Sequence, residues 1–130
     1  MSENQAKVIA YIEENQAKLI ASLAEAVEIP SVSGDASFRA EVYKMGAWLK
    51  NRLSELGCEV SSHDLGMQEL DGQEVQLPPV IVGSIGKDTS KKTVLVYGHY
   101  DVQPALKSDG WKTDCLLYTS DAADDTPCVD

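Results

Sequence analysis

The chain has 130 residues, of which 43% are hydrophobic and 25% are charged, so its composition is that of an ordinary soluble domain and disfavours a disordered, collagen-like or coiled-coil protein. Its length allows at most one modest domain. The formal net charge of −10 repels a phosphate backbone, so we expect no nucleic acid partner.

Membrane association and disulfide bonding are also disfavoured. The apolar stretch Val75–Gly86 is far shorter than the roughly 20 residues that a bilayer requires, and the polar start Met1–Gln5 does not resemble a signal peptide. Cys58, Cys115 and Cys128 are an odd number of cysteines at irregular spacings, so they predict neither a disulfide framework nor a zinc finger. We therefore expect no membrane partner and a cytoplasmic location.

The first predicted element is an amphipathic helix from Gln5 to Val27. Apolar residues recur there at steps of three and four, while most of the charged residues fall on the other face. The polar run Glu13–Gln16 could divide this helix into two shorter ones. Pro30 stops it, because proline removes a backbone donor and restricts the residue before it.

A second amphipathic helix is predicted from its apolar stripe, which extends from Phe38 to Leu56. Asp35 or Ser37 can cap its start by accepting from free backbone N–H groups. Gly57 stands where a left-handed cap at the end of the helix is easiest.

The pattern then changes to that of strands and turns. Cys58–His63 alternates weakly, as an edge strand does, and Asp71–Gly72 marks a turn. Val80–Ile85 and Thr93–Tyr97 are β-branched runs that predict a hairpin or two neighbours in one sheet. Since Thr93–Tyr97 carries no charge, we expect it to be buried on both faces.

These elements predict an α/β fold in which two helices pack on a partial sheet. The residues expected in its core are Leu49, Leu53, Val94 and Val96.

The segment Tyr97–Pro104, at the end of the strand-like run Thr93–Tyr97, is the predicted functional site. Strand ends expose side chains to ligand crevices in α/β folds. His99 and Asp101 are two residues apart, so in extended backbone they share a face. A carboxylate there can accept from one imidazole nitrogen and leave the other free to bind a metal.

By spacing alone, this His-x-Asp pattern arises often by chance, and a histidine at a strand end is more often a hydrogen-bonded structural residue. His63 is the only other histidine, and it lies between Ser62 and Asp64 in a polar segment. We interpret it as a solvent-facing residue of an edge strand.

A wider set of motifs surrounds this pattern. In chain order, they are Glu28–Ser33, Leu77–Val80, Lys91–Val94, Val94–Ala105 and Ser108–Trp111. Together they resemble the zinc metallopeptidase family of cytosolic nonspecific dipeptidase, carnosine dipeptidase and the fungal Cys-Gly metallodipeptidases, and the resemblance extends from about the first helix to Asp114.

The resemblance implies a catalytic site with two metal ions, zinc or manganese. In that site His99 binds one metal, and Asp101 orients the imidazole. The family also uses a bridging aspartate, a glutamate general base, a second glutamate, a further aspartate and a distant histidine, none of which is present in this chain. The smaller domain through which the full-length family forms a homodimer is absent as well.

The expected activity of the parent protein is therefore hydrolysis of short peptides such as Cys-Gly, with a dipeptide as substrate, while the 130-residue chain by itself is expected to be inactive. Two alternatives remain open. One is a non-enzymatic interaction fragment; the other is an amidohydrolase of the same fold that acts on amino-acylated or carbamoylated amino acids. Tyr100 and Gln103–Ala105 favour the dipeptidases.

The chain is predicted to divide at Asp114. Residues 1–114 resemble the N-terminal part of the catalytic domain, whereas residues 115–130 have neither an amphipathic period nor a family motif. The DNA string TGT CTC TTA TAC ACA TCT GAC GCT GCC GAC would encode Cys115–Asp124, and this string resembles a transposase-based sequencing adapter. We interpret the tail as adapter read-through, with a divergent natural C-terminus as the alternative.

Overall fold

The computed structural model describes residues 2–105 and 107–110, which form a mixed α/β fold, as predicted. The helices are α1 (Glu3–Glu14), α2 (Gln16–Val27) and α3 (Arg39–Glu55), with 3-10 turns at Ala36–Phe38 and Lys107–Asp109. The strands are β1 (Glu59–His63), β2 (Met67–Leu70), β3 (Gln73–Gln76) and β4 (Val80–Ser84). Cys115, Cys128 and the predicted tail 115–130 lie outside the described residues.

The first predicted helix is divided in two, at Asn15, within the polar run that the sequence marks. The N-terminus of α1 is closed by a capping box, in which Ser2 and Gln5 each accept from the other's backbone N–H. Neither α1 nor α2, both fully described, has a buried residue. Both helices belong to one compact unit, and Ile29–Pro104 forms another.

Helix α3 confirms the second predicted helix and both of its boundaries. The Asp35 carboxylate accepts from the Ser37 backbone N–H at 2.8 Å and so caps the 3-10 turn that leads into α3. Gly57 ends the helix with a φ of 85°, a conformation that costs glycine little. Among the described residues, no helix combines the length and the hydropathy that a membrane crossing needs.

The strands form two antiparallel pairs. Strand β1, the predicted edge strand, pairs with β4 in a register that sets Glu59 opposite Ser84 and His63 opposite Val80. Helix α3 packs on this pair closely enough that a β-carbon at Gly83 would lie 3.3 Å from Leu53 Cδ1. The predicted turn at Asp71–Gly72 joins β2 to β3, and both of its residues have positive φ, as a tight hairpin requires.

The prediction of a buried strand at Thr93–Tyr97 is wrong for this structure. Residues 93–99, all of which are described, form no strand, and β4 takes β1 as its partner instead of this run. Val94 and Val96, which we expected in the core, are 83% and 87% exposed. A strand needs a neighbour for its backbone hydrogen bonds, and β-propensity cannot replace that neighbour.

The core of the unit Ile29–Pro104 lies where the segment before α3 meets that helix. Leu49 and Leu53, the other predicted core residues, are half-buried. Ser31 is fully buried among the apolar core residues, and its polar atoms therefore need partners. The buried apolar side chains are those of Ile29, Val32, Val42 and Met45.

Candidate functional site

The segment that carries His99 and Asp101 is attached to the core by the loop before α3. Val102 forms a parallel bridge with Val32, and the Val102 N–H donates to the carbonyl of Ser31 at 3.0 Å. The Ser31 hydroxyl, in turn, donates to the carbonyl of Tyr100 at 3.0 Å. The buried hydroxyl is thus satisfied by the backbone of the site, and Ser31 bonds to that segment at both Tyr100 and Val102.

Tyr100 anchors the same segment from its other side. Its hydroxyl donates to the carbonyl of Pro79 at 2.6 Å, and a β-carbon at Gly46 of α3 would lie 3.5 Å from the Tyr100 hydroxyl oxygen. Partial burial is the main reason why the pKa of Tyr100 is raised above its ordinary value.

The two predicted site residues are in contact. His99 Nδ1 lies 3.0 Å from Asp101 Oδ1 and also 3.0 Å from the Asp101 carbonyl oxygen. Since both of these atoms are acceptors, this geometry selects the tautomer with hydrogen on Nδ1, which donates and leaves a lone pair on Nε2. The His99 side chain is 76% exposed, so the imidazole remains accessible to a ligand.

The Asp101 carboxylate is held through both of its oxygens. Oδ1 accepts from His99, and Oδ2 accepts from the Ser33 hydroxyl. The bond from Ser33 is the main cause that lowers the pKa of Asp101 below its ordinary value; the bond from His99 adds to the effect and partial burial opposes it. The carboxylate is therefore kept charged, and a charged carboxylate is the stronger acceptor for His99.

These side chains border a small cavity of about 220 Å³. It is smaller than the pockets of roughly 300–1,000 Å³ that bind drug-sized ligands. The lining residues are Ser33, Val42, Pro78, Gly98, His99, Tyr100 and Asp101. The polar groups of the cavity thus come from the loop before α3 and from the segment that follows residue 97.

The donor set fits one ligand of a metal ion. A neutral imidazole whose Nδ1–H is bonded to a carboxylate is the usual arrangement of a metal-binding histidine. Across residues 2–105 and 107–110, no cluster of three or more histidine, cysteine, aspartate or glutamate side chains could hold a metal. His99 would therefore need ligands from outside these residues.

His63 lies apart from this arrangement, as a residue of β1. It is exposed, and its Nε2 is 3.0 Å from the Ser61 hydroxyl. Its predicted position as a solvent-facing residue of an edge strand is confirmed.

The sequence alone predicts no role for Ser31 or Ser33. Both belong to a motif of the resemblance, yet their partners lie about 70 residues further along the chain. Two hydroxyl residues spaced two apart, next to buried apolar positions, are the available signal. That signal does not identify the partner.

No family model matches the chain. The Cys-Gly metallodipeptidase of Schizosaccharomyces pombe is 42% identical over 115 residues, which are 88% of this chain and 24% of that protein. The human Beta-Ala-His dipeptidase is 44% identical over 116 residues, which are 87% of this chain and 23% of that protein.

A solved structure is similar over the same part. The structure of the dipeptidase Dug1p from Saccharomyces cerevisiae matches with a TM-score of 0.85 and 40% identity, over 95% of this chain and 26% of that one. The resemblance to dipeptidases that the sequence motifs indicate is therefore confirmed. The chain spans about a quarter of the length of the relatives it matches.

Proposed function

We propose that this chain is the N-terminal segment of the catalytic domain of a metal-dependent dipeptidase that hydrolyses short peptides such as Cys-Gly. The similarity to a Cys-Gly metallodipeptidase supports the reaction class. The observation that carries the proposal is the bond between His99 Nδ1 and Asp101 Oδ1, because it prepares the imidazole to bind a metal.

In this proposal, His99 is a metal ligand and Asp101 belongs to the catalytic site. Asp101 accepts the Nδ1–H of His99, fixes the tautomer and turns Nε2 outward. A divalent ion, zinc or manganese, would supply Lewis acidity that polarises the scissile carbonyl and activates water. Asp101 also offsets part of the positive charge that a bound cation brings to the imidazole.

The 130-residue chain alone is expected to be inactive. A catalytic zinc site usually has about three protein ligands and one open position, whereas the described part of the chain offers His99 alone. In the family that the chain resembles, the bridging aspartate, the glutamates and a distant histidine complete the site. Dipeptide hydrolysis, the homodimer and the cytoplasmic location are therefore proposed for the full-length protein.

We propose that residues 1–114 are the part of the chain that belongs to this catalytic domain. We propose that residues 115–130 are adapter read-through rather than protein of this family. Amplifying and resequencing the transcript across the Asp114 codon tests this boundary. Recovery of the Cys115–Asp125 codons from adapter-free DNA would contradict it.

The proposal is tested with the full-length protein that carries residues 1–114. We expect it to hydrolyse Cys-Gly when zinc or manganese is added and to lose this activity in His99→Ala. The purified 130-residue chain, assayed under the same metal conditions, should show no turnover. Metal-independent hydrolysis by the full-length protein, or turnover by the short chain that His99→Ala abolishes, would refute the corresponding part of the proposal.

β-Ala-His is a second candidate substrate, since the human Beta-Ala-His dipeptidase is as similar to this chain as the yeast relatives are. The two dipeptides differ in the spacing of the amino group from the scissile bond. Comparing kcat/KM for Cys-Gly and β-Ala-His in one preparation decides which substrate the protein prefers.

A further inference from the structure

The Asp101 carboxylate is bound from two directions by side chains of very different origin. His99, two residues away, lies 3.0 Å from Oδ1. Ser33, which is 68 residues away in the sequence, donates its hydroxyl to Oδ2. One carboxylate therefore connects the loop before α3 to the imidazole.

The loop that carries Ser33 is fixed independently of this bond. Ser31 and Val32 are buried, and the Val102 N–H and the Tyr100 carbonyl both bond to Ser31. The carbonyl of Ser33 itself accepts from Arg39 Nη2 at 3.5 Å, and Arg39 is a buried residue of α3. The Ser33 hydroxyl is thus presented from a fixed backbone.

A fixed donor on one oxygen determines the plane of the whole carboxyl group. The terminal torsion of an aspartate side chain is broad, so packing at the β-carbon alone does not set its orientation. With Oδ2 bonded to Ser33, Oδ1 is directed toward His99 Nδ1. Without that donor, the carboxylate can rotate away from Nδ1, which keeps the Asp101 carbonyl oxygen as an acceptor, and the imidazole loses the angle that the carboxylate sets.

We infer that Ser33 is a positioning residue, which holds Asp101 in the orientation that presents His99 Nε2 to a ligand. The effect on metal binding rests on the proposed function, but the effect on the imidazole does not. Ser33 acts through Asp101 and needs no contact with metal or substrate.

The test compares three variants of the full-length protein that carries this segment. Ser33→Ala removes the hydroxyl, and Ser33→Thr keeps it. Ser37→Ala is the matched control, because Ser37 also donates its hydroxyl to an aspartate, Asp35, at 2.6 Å, but both of those residues are exposed.

The first measurement uses metal-free protein with ¹⁵N-labelled histidine, in which the His99 signals are assigned by their loss in His99→Gln. We expect wild type, Ser33→Thr and Ser37→Ala to show hydrogen on Nδ1 and a bare Nε2. Ser33→Ala should show shifted and broadened Nδ1 signals, because the Asp101 carbonyl oxygen then remains as an acceptor without the oriented carboxylate. Unchanged imidazole signals in Ser33→Ala would overturn the inference.

The second measurement is the zinc or manganese dissociation constant, obtained by competition with a chromophoric chelator. Loss of a group that orients a metal ligand typically weakens binding by about 10- to 100-fold, and since Ser33 acts one bond further away, we expect about 10-fold for Ser33→Ala. Ser33→Thr should restore the wild-type value, and Ser37→Ala should keep it.

Urea unfolding of the same variants separates positioning from a purely structural role. If Ser33→Ala and Ser33→Thr weaken metal binding equally, and both lower the free energy of unfolding, Ser33 supports the fold and the inference is wrong. If wild type binds no metal, the proposed function fails, and the metal-free measurement of the His99 imidazole signals still decides the role of Ser33.

Discussion

The two histidines of this chain lie in similar local patterns but differ in how their polar partners are held in place. Each has a polar partner two residues away: His63 Nε2 lies 3.0 Å from the Ser61 hydroxyl, and His99 Nδ1 lies 3.0 Å from the Asp101 carboxylate. Ser61 is an exposed residue of β1, whereas Asp101 is also held by Ser33 from the loop before α3.

The difference shows what turns a local pair into a site. When both members of a pair lie in one exposed strand, no bond to a distant element fixes the orientation of their side chains. A pair whose acceptor is bound to a distant, buried loop has one orientation, and a metal ligand requires such preorganisation. The bond from Ser33 to Asp101 therefore distinguishes His99 from His63, whereas the spacing between each histidine and its polar partner does not.

Removing the imidazoles one at a time is the strongest test of this comparison. In the full-length protein, we expect His99→Ala to abolish dipeptide hydrolysis, because a metal ligand is lost. His63→Ala should change activity little and stability by no more than about 0.5 kcal/mol, as is usual for an exposed residue. The assays are metal-dependent turnover and urea unfolding. A His63→Ala variant as inactive as His99→Ala would show that the two histidines are functionally equivalent.

Removing the carboxylate behind His99 should have the next largest effect. Asp101→Ala leaves the imidazole present but misoriented, so metal affinity or turnover is expected to fall by roughly 10- to 100-fold. Asp64→Ala is the matched control beside His63, where the carboxylate accepts from the Gly66 N–H and from Gln76. Chelator competition measures the affinity in both variants. Equal losses in the two would contradict a specific role for Asp101.

The bond that Tyr100 forms next to His99 and Asp101 is tested by removing a single hydroxyl. Tyr100→Phe removes the donor to the Pro79 carbonyl, and we expect the free energy of unfolding to fall by about 0.5–1.5 kcal/mol. Tyr11→Phe, at a side chain that is 59% exposed in α1, should leave the unfolding free energy unchanged. Urea denaturation of both variants measures the difference. An unaltered midpoint for Tyr100→Phe would show that this bond does not hold the segment.

Acidification gives the smallest expected effect. The pKa of Asp101 is held below its ordinary value of 3.8, mainly by Ser33. A carboxyl group with a lowered folded-state pKa adds stability at pH above 3.8, and that contribution is lost as the pH falls through the folded-state pKa. Ser33→Ala should move the pKa of Asp101 up toward 3.8, measured by NMR titration of the carboxyl carbon.

Ser37→Ala is the control for this titration. Hydrogen bonds from Ser37 also lower the pKa of Asp35, so this variant should raise the pKa of Asp35 and leave that of Asp101 unchanged. A titration curve of Asp101 that Ser33→Ala does not alter would contradict the importance of the long-range bond.

Local patterns predicted the helices well, and they also predicted the turn between β2 and β3. The polar run Glu13–Gln16 marked the division at Asn15, Asp35 and Gly57 marked the ends of the second helix, and Asp71–Gly72 marked a hairpin. Each of these signals acts within a few residues, through caps or positive φ. The contact between His99 and Asp101 was accessible to prediction for the same reason, since two residues decide it.

Pairings between distant residues were not predictable in this way. Strands β2 and β3 are rich in polar residues, so only their turn was recognised. The β-branched run Val80–Ile85 was predicted to neighbour Thr93–Tyr97, but its strand pairs with β1. The bond from Ser33 to Asp101 also depends on tertiary structure, which no local pattern encodes.

The exposed run Thr93–Tyr97 also bears on how this chain behaves in concentrated solution. Val94, Leu95, Val96 and Tyr97 are 83–91% exposed, and an uncharged, β-branched segment of this length without proline can stack with copies of itself into cross-β aggregates. Lys91 and Lys92 precede the run directly. Flanking charges of this kind act as gatekeepers, since each added copy would bring like charges together. Neutralising the two lysines would therefore be expected to shorten the lag before fibrils form.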